Sequence, residues 1–126
     1  LEALEDGMIL VGHSLGGSVL LKYLSEETCK KKIAGLYIVA SPYWGKKDWQ
    51  VDEYMLQDDF ASKLPPVPGI FLYHSRDDEV VPFEHVTYYA GRLPEATVRM
   101  FNNRGHLFSK GLPDLVDDIR AFADAQ

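Results

Sequence analysis

The sequence of 126 residues predicts a three-layer α/β domain, a mostly parallel sheet of about four strands flanked by helices. Three observations carry that expectation. Strand-like and helix-like segments alternate along the chain, the strand-like ones are nearly uninterrupted apolar runs, and chemistry-bearing polar residues gather where those runs end. A strand buried on both faces has no polar side, so continuous apolar runs point to a parallel sheet covered by helices above and below. Such sheets carry their chemistry at the carboxyl ends of the strands.

The first predicted strand is Met8 to Val11, and a helix follows over Leu15 to Leu24. Between them lies Gly12-His13-Ser14-Leu15-Gly16, a G-x-S-x-G in the strand-turn-helix setting of a nucleophile elbow. That turn holds Ser14 at its apex in a strained conformation, with the hydroxyl above the sheet edge. Gly12 and Gly16 are expected where a side chain would collide with neighbouring backbone. Leu15, Val19, Leu20, Tyr23 and Leu24 form a broad apolar stripe for packing on the sheet. The helix fades into Ser25-Glu26-Glu27-Thr28, and Lys30-Lys31-Lys32 suits the negative end of its dipole.

A second strand is predicted over Leu36 to Ala40, bounded by Gly35 and stopped by Pro42. Residues 42–68 are the least regular part and read as a small insert. A helix is expected there over Asp48 to Ala61, with Trp49, Met55, Leu56 and Phe60 on its apolar side. Pro65-Pro66-Val67-Pro68 forces an extended approach to the third strand, Ile70 to His74. After the acidic turn Asp77-Asp78-Glu79, a helix starts near Pro82, runs to about Leu93 and is ended by Pro94. The fourth strand, Thr97 to Phe101, leads through Asn102-Asn103-Arg104-Gly105-His106 to a last helix begun by Pro113. Leu115, Val116, Ile119 and Phe122 cluster on one face of it. With no repeat or low-complexity tract, residues 1–126 read as a single domain.

Composition narrows the functions. A formal net charge of −6 and a pI near 5.1 argue against a nucleic-acid partner held through phosphates. The single cysteine, Cys29, excludes an intrachain disulfide and a thiolate metal cluster, and reads as inert. Neither metal-ligand spacing nor a glycine-rich phosphate loop is present, so no cofactor or metal is expected. No apolar run approaches membrane-spanning length and nothing resembles a signal peptide, which makes a reducing, cytoplasmic setting the expectation. The sequence opens at Leu1 without methionine and reads as a piece of something longer.

Ser14, Asp78 and His106 follow the first, third and fourth predicted strands, and so converge on one edge. Serine is a poor nucleophile until an imidazole takes its proton, and a carboxylate must hold that imidazole in the right tautomer. The chain order Ser, Asp, His is the one α/β-hydrolases use. Asp77 competes for the acid role; the D-x-x-V-P register favours Asp78 and leaves Asp77 as a helix-side or solvated group. The N–H of Leu15, at the positive end of its helix, is aimed at a developing oxyanion. His13 is expected to point away from the nucleophile, and His74 and His85 to be structural or on the surface. Tyr43 and Trp44 either line a substrate pocket or bury against 48–61. Asp58-Asp59 reads as a solvated helix face or end.

Gly12-His13-Ser14-Leu15-Gly16-Gly17, the turn Ser75 to Pro82, and Gly105-His106 resemble the three signature motifs of the α/β-hydrolase superfamily. The compact spacing is most similar to the small serine hydrolases grouped with YdeN and retinoblastoma-binding protein nine. The resemblance covers nearly all of the chain but only the C-terminal half of such a fold. It implies a serine hydrolase that cleaves a small-molecule carboxylic ester or amide through Ser14, His106 and Asp78. In that family earlier strands and a His-Gly loop precede the elbow, and the loop supplies a second oxyanion donor; neither has a counterpart in this sequence. The first strand is therefore expected to be an exposed edge prone to self-association. A hydrolase fold kept as a protein-binding module, without turnover, is the alternative.

Overall fold

Four apolar runs pair into a single parallel sheet in the order β1-β2-β3-β4. The computed structural model describes residues 8–27, 33–45, 49–109 and 111–124. The strands are β1 (Met8–His13), β2 (Ile33–Val39), β3 (Ile70–Ser75) and β4 (Thr97–Phe101). The helices are α1 (Leu15–Glu26), α2 (Phe60–Lys63), α3 (Glu84–Arg92) and α4 (Pro113–Asp124). Cys29, Lys30-Lys31-Lys32 and Asp48 lie outside the described residues.

Sequential parallel strands need crossovers of one hand, which place the connecting helices on one face. Leu21 and Leu24 of α1, Phe60 of α2, and Val86, Tyr89 and Leu93 at α3 accordingly share a buried cluster with Leu36, Ile38 and Leu72 of the sheet. On the other face, Leu115, Ile119 and Phe122 of α4 pack over Tyr37, Val39, Phe71 and Tyr73. The Tyr73 hydroxyl donates to Asp118 Oδ2 at 2.8 Å, and Arg99 grips both oxygens of Asp118 at 2.9 and 3.1 Å. These bonds fix α4 against β3 and β4. The layers are those the apolar runs predict.

Two expectations are corrected. The predicted helix from Asp48 to Ala61 is not continuous: among its described residues, 49–61, the helical parts are a 3-10 turn at Asp52–Tyr54 and the start of the four-residue α2. Met55 is extended, with φ −72° and ψ 135°, so the helix cannot continue through it. Tertiary contact explains the break. Trp49 packs against Trp44 and His85, whereas Phe60 is 0% exposed beside Tyr43, and one short helix could not present both residues to those sites.

The second correction concerns α1. Its buried residues are Gly17, Ser18, Leu21, Leu24 and Ser25, while Leu15, Val19 and Tyr23 are 39%, 47% and 53% exposed. The helix turns its small residues to the sheet because the elbow brings it very close. A Cβ on Gly12 would lie 2.6 Å from Gly17 Cα, and a Cβ on Gly17 would run into Ser41 Oγ. Gly16, by contrast, has nothing within 4 Å of a built Cβ. The glycine demand thus falls on positions 12 and 17 rather than 12 and 16.

Candidate active site

Ser14 takes φ 57° and ψ −127°, a backbone conformation that L-residues rarely adopt. Such a residue costs on the order of 1–3 kcal/mol and persists only where its surroundings over-determine it. Here they do: Ser14 N–H donates to Val39 O at 2.8 Å, extending the β1–β2 ladder by one residue, and Gly17 N–H donates to Ser14 O at 3.1 Å. The side chain is thereby held at the carboxyl end of β1, and Leu15 stands at the first position of α1. First-turn amides of a helix have no intrahelical acceptor, so the N–H of Leu15 is available to an anion.

Asp78 is shaped by the turn after β3. Its Oδ1 accepts the backbone N–H of Val80 at 2.9 Å and of Val81 at 2.7 Å. With Oδ1 occupied, Oδ2 faces the loop after β4, 2.9 Å from His106 Nδ1. Both side chains are buried, Asp78 and His106 each at 8% residue exposure. The opposite ring nitrogen, His106 Nε2, is 2.9 Å from Ser14 Oγ. A carboxylate that accepts from Nδ1–H leaves Nε2 bare, so Nε2 accepts the serine hydroxyl proton. Three residues separated by up to 92 positions therefore form one continuous hydrogen-bonded chain.

Asp77 has a different task from Asp78. It accepts from the Ser75 hydroxyl, and from Gly105 N–H at 2.9 Å, while Ser75 Oγ accepts Arg104 N–H at 3.0 Å. The two side chains anchor the main chain just before His106. The hydrogen bonds from Ser75 and then Gly105 hold the Asp77 carboxyl below its ordinary range.

His13 lies against the candidate base. Its Nε2–H donates to the His106 carbonyl at 2.7 Å, and the two rings lie 5.2 Å apart. His74, expected as a structural or surface group, is 1% exposed and sits 3.2 Å from Asp78 Oδ2. Burial pushes its pKa down, against smaller opposing effects of the Val81 carbonyl and Asp78. One cue for His74 was present in the sequence: a polar residue interrupts an apolar strand four positions before the acid. No such cue marked His13. His85 is structural, its Nδ1 accepting Tyr43 N–H at 2.8 Å. Tyr43 is buried on Phe60 and Trp44 is half-buried on Trp49 and Tyr54 of the insert.

Leu15, Val80 and Leu107, each within two residues of a member of the Ser14–His106–Asp78 chain, are apolar and 39%, 53% and 72% exposed. A cavity of about 250 Å³ opens at the other end of the sheet, lined by Leu64, Pro65, Val67, Ile70 and Leu93 among others. It touches none of the three residues. No helix among the described residues is long and apolar enough to cross a membrane.

A family model described as serine hydrolase matches residues 1–112. No curated protein matches the chain by sequence. Among solved structures, the ydeN gene product of B. subtilis superposes with a TM-score of 0.73 at 21% identity, over 92% of this chain and 65% of that one. A serine hydrolase of the polyaromatic-hydrocarbon-degrading bacterium Cycloclasticus zankles gives 0.70 at 14% identity, over 94% and 64%. An esterase of Pyrococcus furiosus gives 0.67 at 16% identity, over 98% and 58%. At these identities the likeness is one of fold. The chain spans less than two thirds of the length of each of these three structures.

Proposed function

The chain belongs to the serine hydrolase family, and we propose that it cleaves a small-molecule carboxylic ester or amide through Ser14, His106 and Asp78. The observation that carries the proposal is the pair of 2.9 Å contacts linking Ser14 Oγ to His106 Nε2 and His106 Nδ1 to Asp78 Oδ2. His106 takes the hydroxyl proton as Ser14 Oγ attacks the substrate carbonyl, and the tetrahedral oxyanion draws on the Leu15 N–H. Collapse of that intermediate breaks the bond to the leaving group, which receives the proton from His106. Water then gives a proton to His106 and adds to the acyl-enzyme; the acid departs and Ser14 recovers its hydrogen. Asp78 keeps the ring in the Nδ1–H tautomer and stabilises the imidazolium that forms twice per cycle.

The neighbouring esterase adds support for the ester branch, though its likeness is one of fold alone. A fluorophosphonate probe tests the reading. Covalent labelling that Ser14→Ala abolishes is the expected result. A folded protein with no Ser14-dependent adduct would overturn it and leave the binding-module alternative.

A further inference from the structure

We propose that His74 is a positioning residue for this site, a second imidazole whose N–H edge is set against Asp78 Oδ2 opposite His106. The inference rests on the roles assigned above to Ser14, His106 and Asp78.

The geometry is specific. His74 Nε2 lies 2.9 Å from Val81 O and 3.2 Å from Asp78 Oδ2. A carbonyl oxygen can only accept, so the nitrogen that faces it carries a hydrogen. That hydrogen is directed to the carbonyl, with Asp78 Oδ2 beside it at 3.2 Å, and His74 is then the Nε2–H tautomer. Asp78 Oδ1 is already occupied by two backbone amides. Among the described residues Oδ2 is the oxygen that faces both imidazoles: it is hydrogen-bonded to His106 Nδ1 from the loop after β4 and lies 3.2 Å from His74 Nε2 of β3.

Two consequences follow. The carboxylate is held on both oxygens and cannot rotate away when His106 moves with the reacting proton. Its charge is also divided, so that His106 feels a weaker acceptor than an unshared carboxylate would be. The surroundings keep His74 in the neutral form this needs. Burial is the leading influence on it, the His106 ring opposes its protonation, and Asp78 and the Val81 carbonyl work the other way. From the α3 side it meets the Phe83 ring edge-on at 5.8 Å, and His85, itself pushed down by burial, is the next titratable neighbour. Glu84 acts on His85, and Arg76 lies 4.8 Å over the Phe83 ring. Nothing in the hydrolytic cycle requires His74 to exchange a proton, which separates it from His106.

Imidazole NMR on the full chain tests the assignment without turnover. In the unmutated protein His74 is expected as the neutral Nε2–H tautomer near pH 7. An Nδ1–H tautomer would overturn the proposal, with no substitution needed. His74→Gln keeps an N–H near the Nε2 position and should leave the low-field proton shared by His106 and Asp78 where it is. His74→Phe removes the donor, strengthens that bond and should move the resonance further downfield. With an ester substrate, His74→Phe should lower kcat about tenfold, leave KM unchanged, and move the acid limb of kcat/KM up by roughly half a pH unit to one. A folded His74→Phe variant with an unmoved proton and pH profile would show a packing role only and sink the idea. If the Phe variant does not fold, His74→Leu takes its place with the same proton and pH-profile readouts, and unmoved values there would sink the idea equally. Failure of the hydrolase reading looks different: no Ser14-dependent labelling, while the His106 proton still responds to His74.

Discussion

The sheet is closed to different standards around its interior strand β3 and along its edge strand β1. On the β3 side, Leu72, Tyr73, His74 and Ser75 are all 0–1% exposed, enclosed by α3 and α4. On the β1 side, Ile9 and Val11 point away from the α1 face and are 46% and 50% exposed, while on the α1 face Val19 and Tyr23 are 47% and 53% exposed. Among the described residues β1 pairs only with β2. The candidate site straddles this difference. Asp78, His106 and His74 stand on the closed flank, where backbone amides and buried rings hold them. Ser14 stands on the open one, its strained backbone held by one bond to β2 and one from Gly17 of α1. The acid and base are thus prearranged by the core, whereas the nucleophile depends on how firmly β1 and α1 are seated.

Several measurements would break or sharpen that contrast. The largest effect should come from the chain of hydrogen bonds itself. Ser14→Ala or His106→Ala is expected to cut hydrolysis of an activated ester by about 10⁴-fold or more with the melting temperature nearly unchanged. A variant that keeps substantial turnover would remove the link between the flanks.

Next in size are two faces of the same helix. Leu21 is 0% exposed and Val19 is 47% exposed. Leu21→Ala should cost about 2–5 kcal/mol by urea unfolding, and Val19→Ala no more than about 0.5 kcal/mol. Equal losses would mean that the open flank is covered in solution. Within the elbow, Gly17→Ala should destabilise by about 1–3 kcal/mol because Ser41 and Ile38 must give way. Gly16→Ala, with open space around it, should be neutral or stabilise by up to about 1 kcal/mol.

The open flank also predicts self-association. Its strand edge is apolar and carries neither a charge nor a proline among Met8 to Val11. Sedimentation velocity should show a concentration-dependent oligomer that Val11→Lys weakens. A clean monomer at high concentration would count against it.

The smallest effect concerns pH and the closed flank. His74 and His85 both have pKa values depressed by burial from the ordinary 6.5. Below about pH 6.5 the unfolded chain takes up protons that the folded one does not, so stability falls as pH falls. The contribution is full above that pH and is lost progressively toward the lower folded-state values. Melting temperatures between pH 8 and 5 should decline, and His74→Gln should flatten the slope.

Much of this architecture can be read without coordinates, because the relevant signals are local. The apolar runs at Met8, Leu36, Ile70 and Thr97 mark four parallel strands, and G-x-S-x-G between a strand and a helix marks the elbow with its strained serine. The order Ser14, Asp78, His106 then follows from where polar residues leave the strand ends. What the linear pattern could not decide was which atoms meet. The buried face of α1, the broken segment at 49–59 and the places of His13 and His74 depend on how closely chain segments approach one another after the crossovers close. His13 finds its acceptor 93 residues away, and Oδ2 of Asp78 is left for His106 because two amides of its own turn occupy Oδ1. Periodicity and turn chemistry act over a few residues, but the direction of a buried hydrogen bond is set only once every competing donor around it has been placed.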